Sequence, residues 1–569
     1  MKGKIMMKGR NSILWVIAVL SLSVGSGYAQ SKQEAESPSY DLEIKNGAYY
    51  INGEKTFINA LGYEIGARPG QHPYEDQKIL EIARMKNDLK VIKEAGFNAV
   101  RTWSELTEEE VQLIQKSGLM LVYGIWIKPD GDFGDPTFVK DAQKQVRKVM
   151  AWSKKYDCII TYLIMNEPMP AHIHDKGAQN TYDLWTGLTA IIHEEHPGIP
   201  VTISNNSAIG EYLNERIFDV YGYNTYDYEE GLPGHTQGFS NHFIYLKELN
   251  GENKPVLVTE FGLSVSPTGW GKMYGGRTRV KQAGHIIKNF SELLDAGVAG
   301  ICPFYYADGW WKTGEPGVHN PLPEEWFGYW GYADENDTVG YPRPIWYEFK
   351  EYNQALVASP RNHKIYQGPV PIEFYLNKEV ARAKIIYNDK VVYDKAVAGH
   401  HFTDEVDFKE EKITDRELIV EFYSDRNELL KWESILILTT KNKLELPVIQ
   451  MKVNTADLNK VKTLETEFTI LKDSTFTLDS NFKYVYVHHE GWDPGEHGTK
   501  TIDTDQPEYS FTDSYTFSDD CLVLNVGAGV DVKYGKFVKR IYNQKLIYRG
   551  DWANPVKADR GAVKIASDQ

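Results

Sequence analysis

The chain of 569 residues has only three cysteines, which are Cys158, Cys302 and Cys521. Three isolated cysteines provide no disulfide framework, and the lack of a C-x-x-C pair excludes the common zinc motifs. We therefore expect no metal and no cofactor. The stability of the protein must rest on apolar cores, which a chain of this length can form.

Basic residues are also few relative to acidic ones. The sequence has 63 Lys and Arg against 79 Asp and Glu, which gives a formal net charge of −16. This charge repels nucleic acid and anionic membranes, so neither is an expected partner. It also disfavours a strongly anionic substrate, unless a local basic pocket binds one.

Long hydrophobic runs are missing except for one near the amino terminus. Basic residues at positions 2, 4, 8 and 10 precede an apolar run from Ile13 to Val24, and small residues follow up to Ala29. This layout predicts a signal peptide over residues 1–29 and a polar, disordered leader over 30–39. The run is short for a membrane span, and an uncleaved anchor is the alternative. We expect a secreted or periplasmic protein that does not span the membrane after cleavage.

Residues 40–360 begin with a β-hairpin pattern around Asn46-Gly47 and Asn52-Gly53 and then alternate apolar runs with amphipathic stretches. This alternation indicates βα units, and eight of them match a closed (β/α)8 barrel with a parallel sheet. An open doubly wound sheet is the alternative. The predicted strands are Phe57–Tyr63, Ala99–Trp103, Met120–Ile127, Ile159–Met165, Val201–Ser204, Val220–Tyr226, Val256–Phe261 and Ala299–Tyr305.

The pattern changes after Pro360, where short alternating segments replace the helical periodicity. Segments such as Ile372–Leu376 and Ala383–Tyr387 are typical of half-buried strands. We predict an immunoglobulin-like β-sandwich over residues 361–449 and a second β-rich domain over 450–569. The predicted fold is thus an α/β TIM barrel followed by one or more C-terminal β-sandwich domains.

Two glutamates follow apolar strand runs at the ends where barrel enzymes place their active residues. The first run ends in Ile164-Met165-Asn166-Glu167-Pro168, and the second ends in Val258-Thr259-Glu260-Phe261-Gly262. A paired acid and nucleophile is what cleavage of a glycosidic bond requires. The alternative is that each glutamate caps a helix or pairs with an arginine. Aromatic residues make up 13% of the sequence, which suits sugar binding as well as ordinary β-rich packing.

These two motifs resemble those of clan A glycoside hydrolases. Three further patterns are most similar to the barrel domain of family 2, the β-galactosidase and β-glucuronidase group, and the resemblance covers residues 41–350. They are Asn52-Gly53-Glu54-Lys55, Asn98-Ala99-Val100-Arg101 and Lys254-Pro255-Val256.

The resemblance implies a role for several side chains. Glu167 would be the general acid and base, and Glu260 the nucleophile of a retaining, double-displacement mechanism. Asn166 would bind the sugar 2-hydroxyl, while Arg101 and Tyr226 would hold the nucleophile. Trp310 would form the floor of the sugar site, with Trp311 as the alternative.

Two further residues are candidates because they lie in loops at the same face of the predicted barrel. Trp126 follows the third predicted strand, and His172 follows Pro168. His172 and His174 form a His-x-His pattern, but a third metal ligand is missing, so we favour substrate contact or plain loop.

The leading interpretation is a secreted hydrolase of β-linked oligo- or polysaccharides. A transglycosylase with the same two glutamates and a non-catalytic carbohydrate-binding protein are the alternatives. The sequence leaves open the sugar, the linkage, endo or exo action and the oligomeric state.

Overall fold

The computed structural model describes the chain in segments, and the predicted signal peptide 1–29, the leader 30–39 and His172 lie outside them. No helix in the described part is long and apolar enough to cross a membrane. The segments are residues 40–64, 67–73, 82–168, 178–205, 217–226, 254–268, 278–362, 364–408 and 414–441, with the backbone of seven later strands.

A three-stranded antiparallel sheet of β1 (Leu42–Lys45), β2 (Ala48–Ile51) and β3 (Glu54–Thr56) opens the described chain. Its two turns are Asn-Gly pairs with positive φ at all four residues, as tight hairpin turns of this sequence require. Tyr49 Oη lies 3.0 Å from Thr161 Oγ1, so the sheet contacts a strand of the following domain. The hairpin prediction is confirmed.

Eight parallel strands form the central sheet, in the order β8-β7-β6-β5-β4-β11-β10-β9. The two edge strands are joined by a parallel bridge between Asn205 and Tyr223, with Asn224 N donating to Asn205 O over 2.8 Å. The barrel prediction is therefore confirmed and the open sheet is excluded. The strands are β4 (Ile58–Gly62), β5 (Ala99–Arg101), β6 (Met120–Gly124), β7 (Ile159–Asn166), β8 (Val201–Ser204), β9 (Tyr221–Asn224), β10 (Val256–Phe261) and β11 (Gly300–Pro303).

Six helices are described, and those that follow barrel strands bury one apolar face against the sheet. The sequence sets their ends: Thr107 and Glu110 form a capping box at the start of the second helix, and Gly118 ends it at φ 72°. The helices are α1 (Ile82–Glu94), α2 (Glu108–Ser117), α3 (Pro136–Ser153), α4 (Ala178–Glu195), α5 (Arg279–Ala296) and α6 (Pro344–Tyr352).

Side chains fill the barrel on both sides of its strands. All residues of β4, β6 and β10 are buried, as expected for parallel strands with helices outside and packed side chains within. One core cluster lies between sheet and helices, and another contains Ile58, Ala99, Met120 and Leu257 above the opening sheet. Because the strands are parallel, their carboxyl ends meet at one face.

Two short strands, β12 (Trp330–Gly331) and β13 (Tyr341–Pro342), pair with each other before the chain enters two further sheets. One sheet has the order β14-β16-β19 and the other the order β15-β21-β20-β17-β18. Their apolar residues belong to one core cluster. The strands are β14 (Ala355–Ser359), β15 (Ile365–Gln367), β16 (Val370–Leu376), β17 (Arg382–Tyr387), β18 (Lys390–Ala396), β19 (His401–Val406), β20 (Thr414–Tyr423) and β21 (Leu429–Thr440).

Seven later strands are described by their backbone. The immunoglobulin-like sandwich over 361–449, the second β-rich domain over 450–569 and their boundaries stay predictions. The strands are β22 (Val448–Asn454), β23 (Thr463–Lys472), β24 (Asn481–Val487), β25 (Tyr509–Phe511), β26 (Val530–Tyr534), β27 (Phe537–Ile541) and β28 (Val563–Ile565).

A buried group of charges joins helix α5 to strand β21. Arg361 Nε donates to Asp295 Oδ1 over 2.6 Å, and its Nη1 donates to Glu433 Oε1 over 3.1 Å. Lys431 Nζ lies 3.3 Å from Glu433 Oε2 and donates to the carbonyl of Ala355 over 2.6 Å. We call Asp295, Arg361, Lys431 and Glu433 the junction cluster. Each of its charges faces an opposite charge.

Candidate active site

Glu167 and Glu260 lie at the carboxyl-end face of the barrel. Glu167 comes directly after β7, and Glu260 is the fifth residue of β10. In the sheet, β8 and β9 lie between their strands. The barrel thus brings to one face two carboxylates that stand far apart in sequence.

The carboxylate of Glu260 is buried and accepts hydrogen bonds from three side chains. Arg101 Nη1 and Trp103 Nε1 donate to its Oε1 over 2.9 and 2.7 Å. Tyr226 Oη donates to its Oε2 over 2.8 Å. Three donors, one of them a cation, stabilise the negative form of this carboxylate and fix its orientation.

Arg101 is fully buried and links the surroundings of the two glutamates. Its Nη2 donates to Asn166 Oδ1 over 2.6 Å and to Ser204 Oγ over 3.2 Å. Its guanidinium lies 3.7 Å from the centroid of the Trp103 ring, within cation–π distance. These contacts fix the guanidinium while its Nη1 holds Glu260.

Glu167 has a left-handed backbone, with φ 48°. A residue with a β-carbon rarely adopts this conformation, which costs of order 1–3 kcal/mol and tends to occur at functional sites. Its N donates to Ser204 O over 2.9 Å, and its Oε1 accepts from Asn224 Nδ2 over 2.8 Å. Thr259 Oγ1 donates to Asn224 Oδ1 over 2.7 Å, which orients the Asn224 amide with its Nδ2 towards Glu167.

The environment of Glu167 favours its protonated form. Burial raises its pKa to about 8, and the negative charges of Glu260 and Glu324 act in the same direction. The hydrogen bond from Asn224 and the charge of Arg101 oppose the rise. The site therefore pairs a glutamate whose environment favours the protonated form with one whose carboxylate accepts three hydrogen bonds, and such unequal environments suit acid–base chemistry.

The other residues predicted from the sequence lie in different surroundings. Asn166 contacts Arg101 and so belongs to the network around the two glutamates. Trp310 is buried and stacks on His319 with ring centroids 4.5 Å apart. Trp126 is 42% exposed, and no contact described for it reaches either glutamate. The roles proposed for these residues stay predictions.

Sequence reasoning missed three polar contributors, which are Trp103, Ser204 and Asn224. In the structure Ser204 ends β8, Asn224 ends β9 and Trp103 follows β5 by two residues, so a position near a strand end was the available signal. Trp103 also fits because Gly62 faces it: a β-carbon at Gly62 would lie 2.7 Å from the Trp103 ring. No group of three or more potential metal ligands occurs among the residues that the structure describes.

Comparison with known proteins finds a family model that matches the barrel segment. The sequence model for the glycosyl hydrolases family 2 TIM barrel domain matches residues 42–297. A β-galactosidase from Vibrio cholerae is 24% identical over 195 residues, which are 28% of this chain and 18% of that protein. The resemblance to the family 2 barrel is confirmed, while this chain spans less than a fifth of that curated relative.

Solved structures with a similar fold include two β-glucuronidases. Bacteroides uniformis β-glucuronidase 2, covalently bound to cyclophellitol-6-carboxylate aziridine, has 15% identity and a TM-score of 0.45, covering 70% of this chain and 48% of its own. Parabacteroides merdae β-glucuronidase with glycerol in its active site has 13% identity and a TM-score of 0.43, covering 76% and 55%. This chain spans about half the length of each.

Proposed function

We propose that this chain, whose residues 42–297 match the family 2 TIM barrel domain, is a retaining β-glycoside hydrolase. Its substrates would be β-linked oligo- or polysaccharides. Glu167 would act as general acid and base, and Glu260 as nucleophile.

The unequal environment of the two glutamates carries this proposal. Glu260 accepts hydrogen bonds from Arg101, Trp103 and Tyr226, so its charge is supported from both oxygens. The pKa of Glu167 is raised by burial and by the charge of Glu260. A retaining mechanism needs such a pair, one ionised for attack and one protonated for leaving-group departure.

In the first step, a carboxylate oxygen of Glu260 attacks the anomeric carbon while the bond from that carbon to the leaving oxygen breaks. Glu167 gives its proton to the leaving oxygen and becomes a carboxylate. We assign the attack to Oε2, because Oε1 already accepts two hydrogen bonds and Oε2 accepts one. Arg101 and Trp103 then stay on Oε1 throughout.

In the second step, the Glu167 carboxylate removes a proton from water as the water oxygen attacks the anomeric carbon. The bond between the sugar and Glu260 breaks, and Glu260 regains its negative charge. Because Oε2 is no longer bonded to the sugar, it again accepts the hydrogen bond from Tyr226 Oη. Two inversions at the anomeric carbon give net retention.

We include export in the proposal because of the signal-peptide pattern over residues 1–29. The measurement is amino-terminal sequencing of protein recovered from outside the cytoplasm. A start at Gln30 is the expected result, and a start at Met1 would contradict it.

The function is tested by incubating purified protein with a panel of β-linked glycans and aryl β-glycosides, beside Glu260→Gln. Proton NMR of the first product formed reports its anomeric configuration. We expect turnover with a β-configured first product, lost in the variant. An α-configured product would contradict retention, and transfer to sugar but never to water would indicate a transglycosylase. No turnover of any glycan would favour a binding protein.

A further inference from the structure

One wall of the candidate active site carries charges that the proposed catalytic steps do not use. Glu64 follows β4 by two residues, and Lys312 and Glu324 lie in the loop after β11. We call these three side chains the acidic wall. With Glu64 and Glu324 ionised, the acidic wall has a net charge of −1.

Aromatic packing places Lys312 of this wall close to the partners of the nucleophile. Lys312 Nζ lies 5.1 Å from the ring centroids of both Phe304 and Tyr305. The Phe304 ring meets Trp103 at 5.4 Å and Tyr226 at 6.4 Å, edge to face. Because Trp103 and Tyr226 both donate to Glu260, one aromatic ring separates the wall from the partners of the nucleophile.

Glu64 and Lys312 neutralise each other. Lys312 Nζ lies 3.2 Å from Glu64 Oε1, and Trp311 Nε1 donates to Glu64 Oε2 over 3.2 Å. The side chains of Glu64 and Lys312 are only 4% and 15% exposed, so the pair is little screened by water. Both oxygens of Glu64 therefore have partners within the protein.

Glu324 has no such partner, although its backbone is firmly held. Ser264 Oγ donates to Pro323 O over 2.8 Å, and Val265 N donates to Trp326 O over 3.1 Å. These bonds tie both sides of Glu324 to the segment that follows the nucleophile strand.

The neighbouring Glu325 behaves differently. It accepts hydrogen bonds from Thr313 Oγ1 and from the backbone and side chain of Asn320, so it holds the loop together. Glu324 makes no hydrogen bond to any residue that the structure describes. Its carboxylate is therefore left with unused acceptor capacity.

The electrostatics agree with this placement. Burial raises the pKa of Glu324, the charge of Lys312 opposes the rise, and the charges of Glu260 and Glu64 add to it. Tyr305 Oη is buried beside the same wall and has no hydrogen-bond partner among the described residues. The wall thus presents polar groups that the protein itself does not satisfy.

We propose that Glu324 is a specificity-determining residue that accepts hydroxyl groups of a neutral sugar and excludes uronic acids. Sugar hydroxyls donate hydrogen bonds, which a partnerless carboxylate accepts. A uronic acid would instead bring a second carboxylate towards a wall that already has excess negative charge, and such like-charge contacts are strongly unfavourable. This inference rests on the proposed hydrolase function of the same site.

The experiment compares kcat/KM of the full-length protein at pH 7 for 4-nitrophenyl β-glycosides of glucose, galactose, mannose and glucuronic acid. We expect at least one neutral glycoside to exceed the glucuronide by about 100-fold. Glu324→Gln should raise the ratio of kcat/KM for the glucuronide to kcat/KM for the neutral glycoside by about tenfold. Glu315→Gln is the matched control, because Glu315 is an exposed glutamate of the same loop. It should leave the ratio unchanged.

A ratio measured on one sample does not depend on the folded fraction, so a poorly folding variant still gives an answer. Preference of the natural sequence for the glucuronide would overturn the inference while supporting the hydrolase function. An unchanged ratio in Glu324→Gln would also overturn it. If the protein hydrolysed none of the four glycosides and none of the β-linked glycans above, the proposed function itself would be overturned.

Discussion

Two buried glutamates at different places in this molecule have opposite electrostatics. Burial alone raises the pKa of Glu433, but Lys431 and Arg361 outweigh it, so the pKa of Glu433 is lowered. Burial, together with the negative charges of Glu260 and Glu324, raises the pKa of Glu167 to about 8. The first glutamate lies among cations, and the second lies among other carboxylates.

The difference separates a stabilising cluster from a reactive one. In the junction cluster each charge faces an opposite charge, and Arg361 also donates to Ser291 and Val357. At the barrel face the carboxylates oppose each other, and Glu167 has a strained backbone. Sites that store unfavourable charge and strain are those where function, rather than stability, selects the residues.

Glu260→Gln should have the largest effect on rate. We expect turnover to fall by at least about 10⁴-fold, since removal of a catalytic nucleophile typically has such an effect. The fold should survive, because the amide oxygen of the glutamine can still accept the hydrogen bonds from Arg101 and Trp103. Initial rates and circular dichroism measure the two properties. If Glu260→Gln lost its fold together with its activity, Glu260 would be needed for stability, and the contrast with Glu433 would be contradicted.

Glu167→Gln should lower kcat/KM for substrates with poor leaving groups by about 10²–10⁴-fold. Aryl glycosides with activated leaving groups need less protonation and should be affected less. For the natural sequence, kcat/KM should fall as pH rises through about 8, because Glu167 must be protonated at the start. This basic limb should vanish in the variant. A limb that persists would assign the acid to another group.

Glu433→Gln should destabilise the protein by about 3–5 kcal/mol, the usual effect of removing one partner of a buried ion pair. It leaves Lys431 buried without its anion while the catalytic groups are untouched. Urea unfolding gives the free energy, and kcat of the folded protein should stay unchanged. Glu428→Gln, at an exposed position of the same sheet region, is the control and should have little effect.

Trp103→Phe should reduce kcat/KM by about 10- to 100-fold, since a hydrogen bond to a charged group contributes roughly 1.5–3 kcal/mol. The substitution keeps an aromatic ring but removes the Nε1 donor to Glu260. A positioning role also predicts a changed acid limb in the pH–rate profile. A drop in stability without any change in that profile would indicate packing alone.

The last expected effect is a pH dependence of stability. The folded protein binds the Glu167 proton more tightly than the unfolded chain does. The free energy of unfolding therefore falls as pH rises from the pKa of Glu167 in the unfolded chain to its folded value of about 8. Glu167→Gln removes this loss, so the substitution should stabilise the protein more at pH 8 than at pH 5, by roughly 3 kcal/mol. Thermal unfolding at the two pH values measures it. Equal effects at both would contradict the raised pKa.

The sequence predicted the barrel well because its signals are local. Each apolar run, such as Val256–Phe261, is visible in the sequence itself. Seven of the eight runs contain a whole strand of the barrel, and β7 extends one residue beyond its run. The positions of Glu167 and Glu260 follow from the same pattern, since parallel strands end at one face.

What the sequence did not reveal depends on long-range contacts. A position near a strand end does not by itself reveal the role of Trp103, whose partner is 157 residues away, or of Asn224, whose amide is oriented by Thr259. The resemblance implied Trp310 with Trp311 as the alternative; in the structure Trp311 donates to Glu64 and Trp310 stacks on His319. Glu324 and Glu325 are adjacent and alike, and only the fold gives one of them partners.

The central claim is that Glu260 forms a covalent bond with the sugar. The direct measurement is intact mass spectrometry after incubation with 2,4-dinitrophenyl 2-deoxy-2-fluoro-β-glycosides of glucose, galactose and mannose, followed by peptide mapping. We predict one added sugar per chain, located on Glu260 and absent from Glu260→Gln. A label on another residue, or hydrolysis of the same glycosides without any label in the natural sequence, would contradict the account.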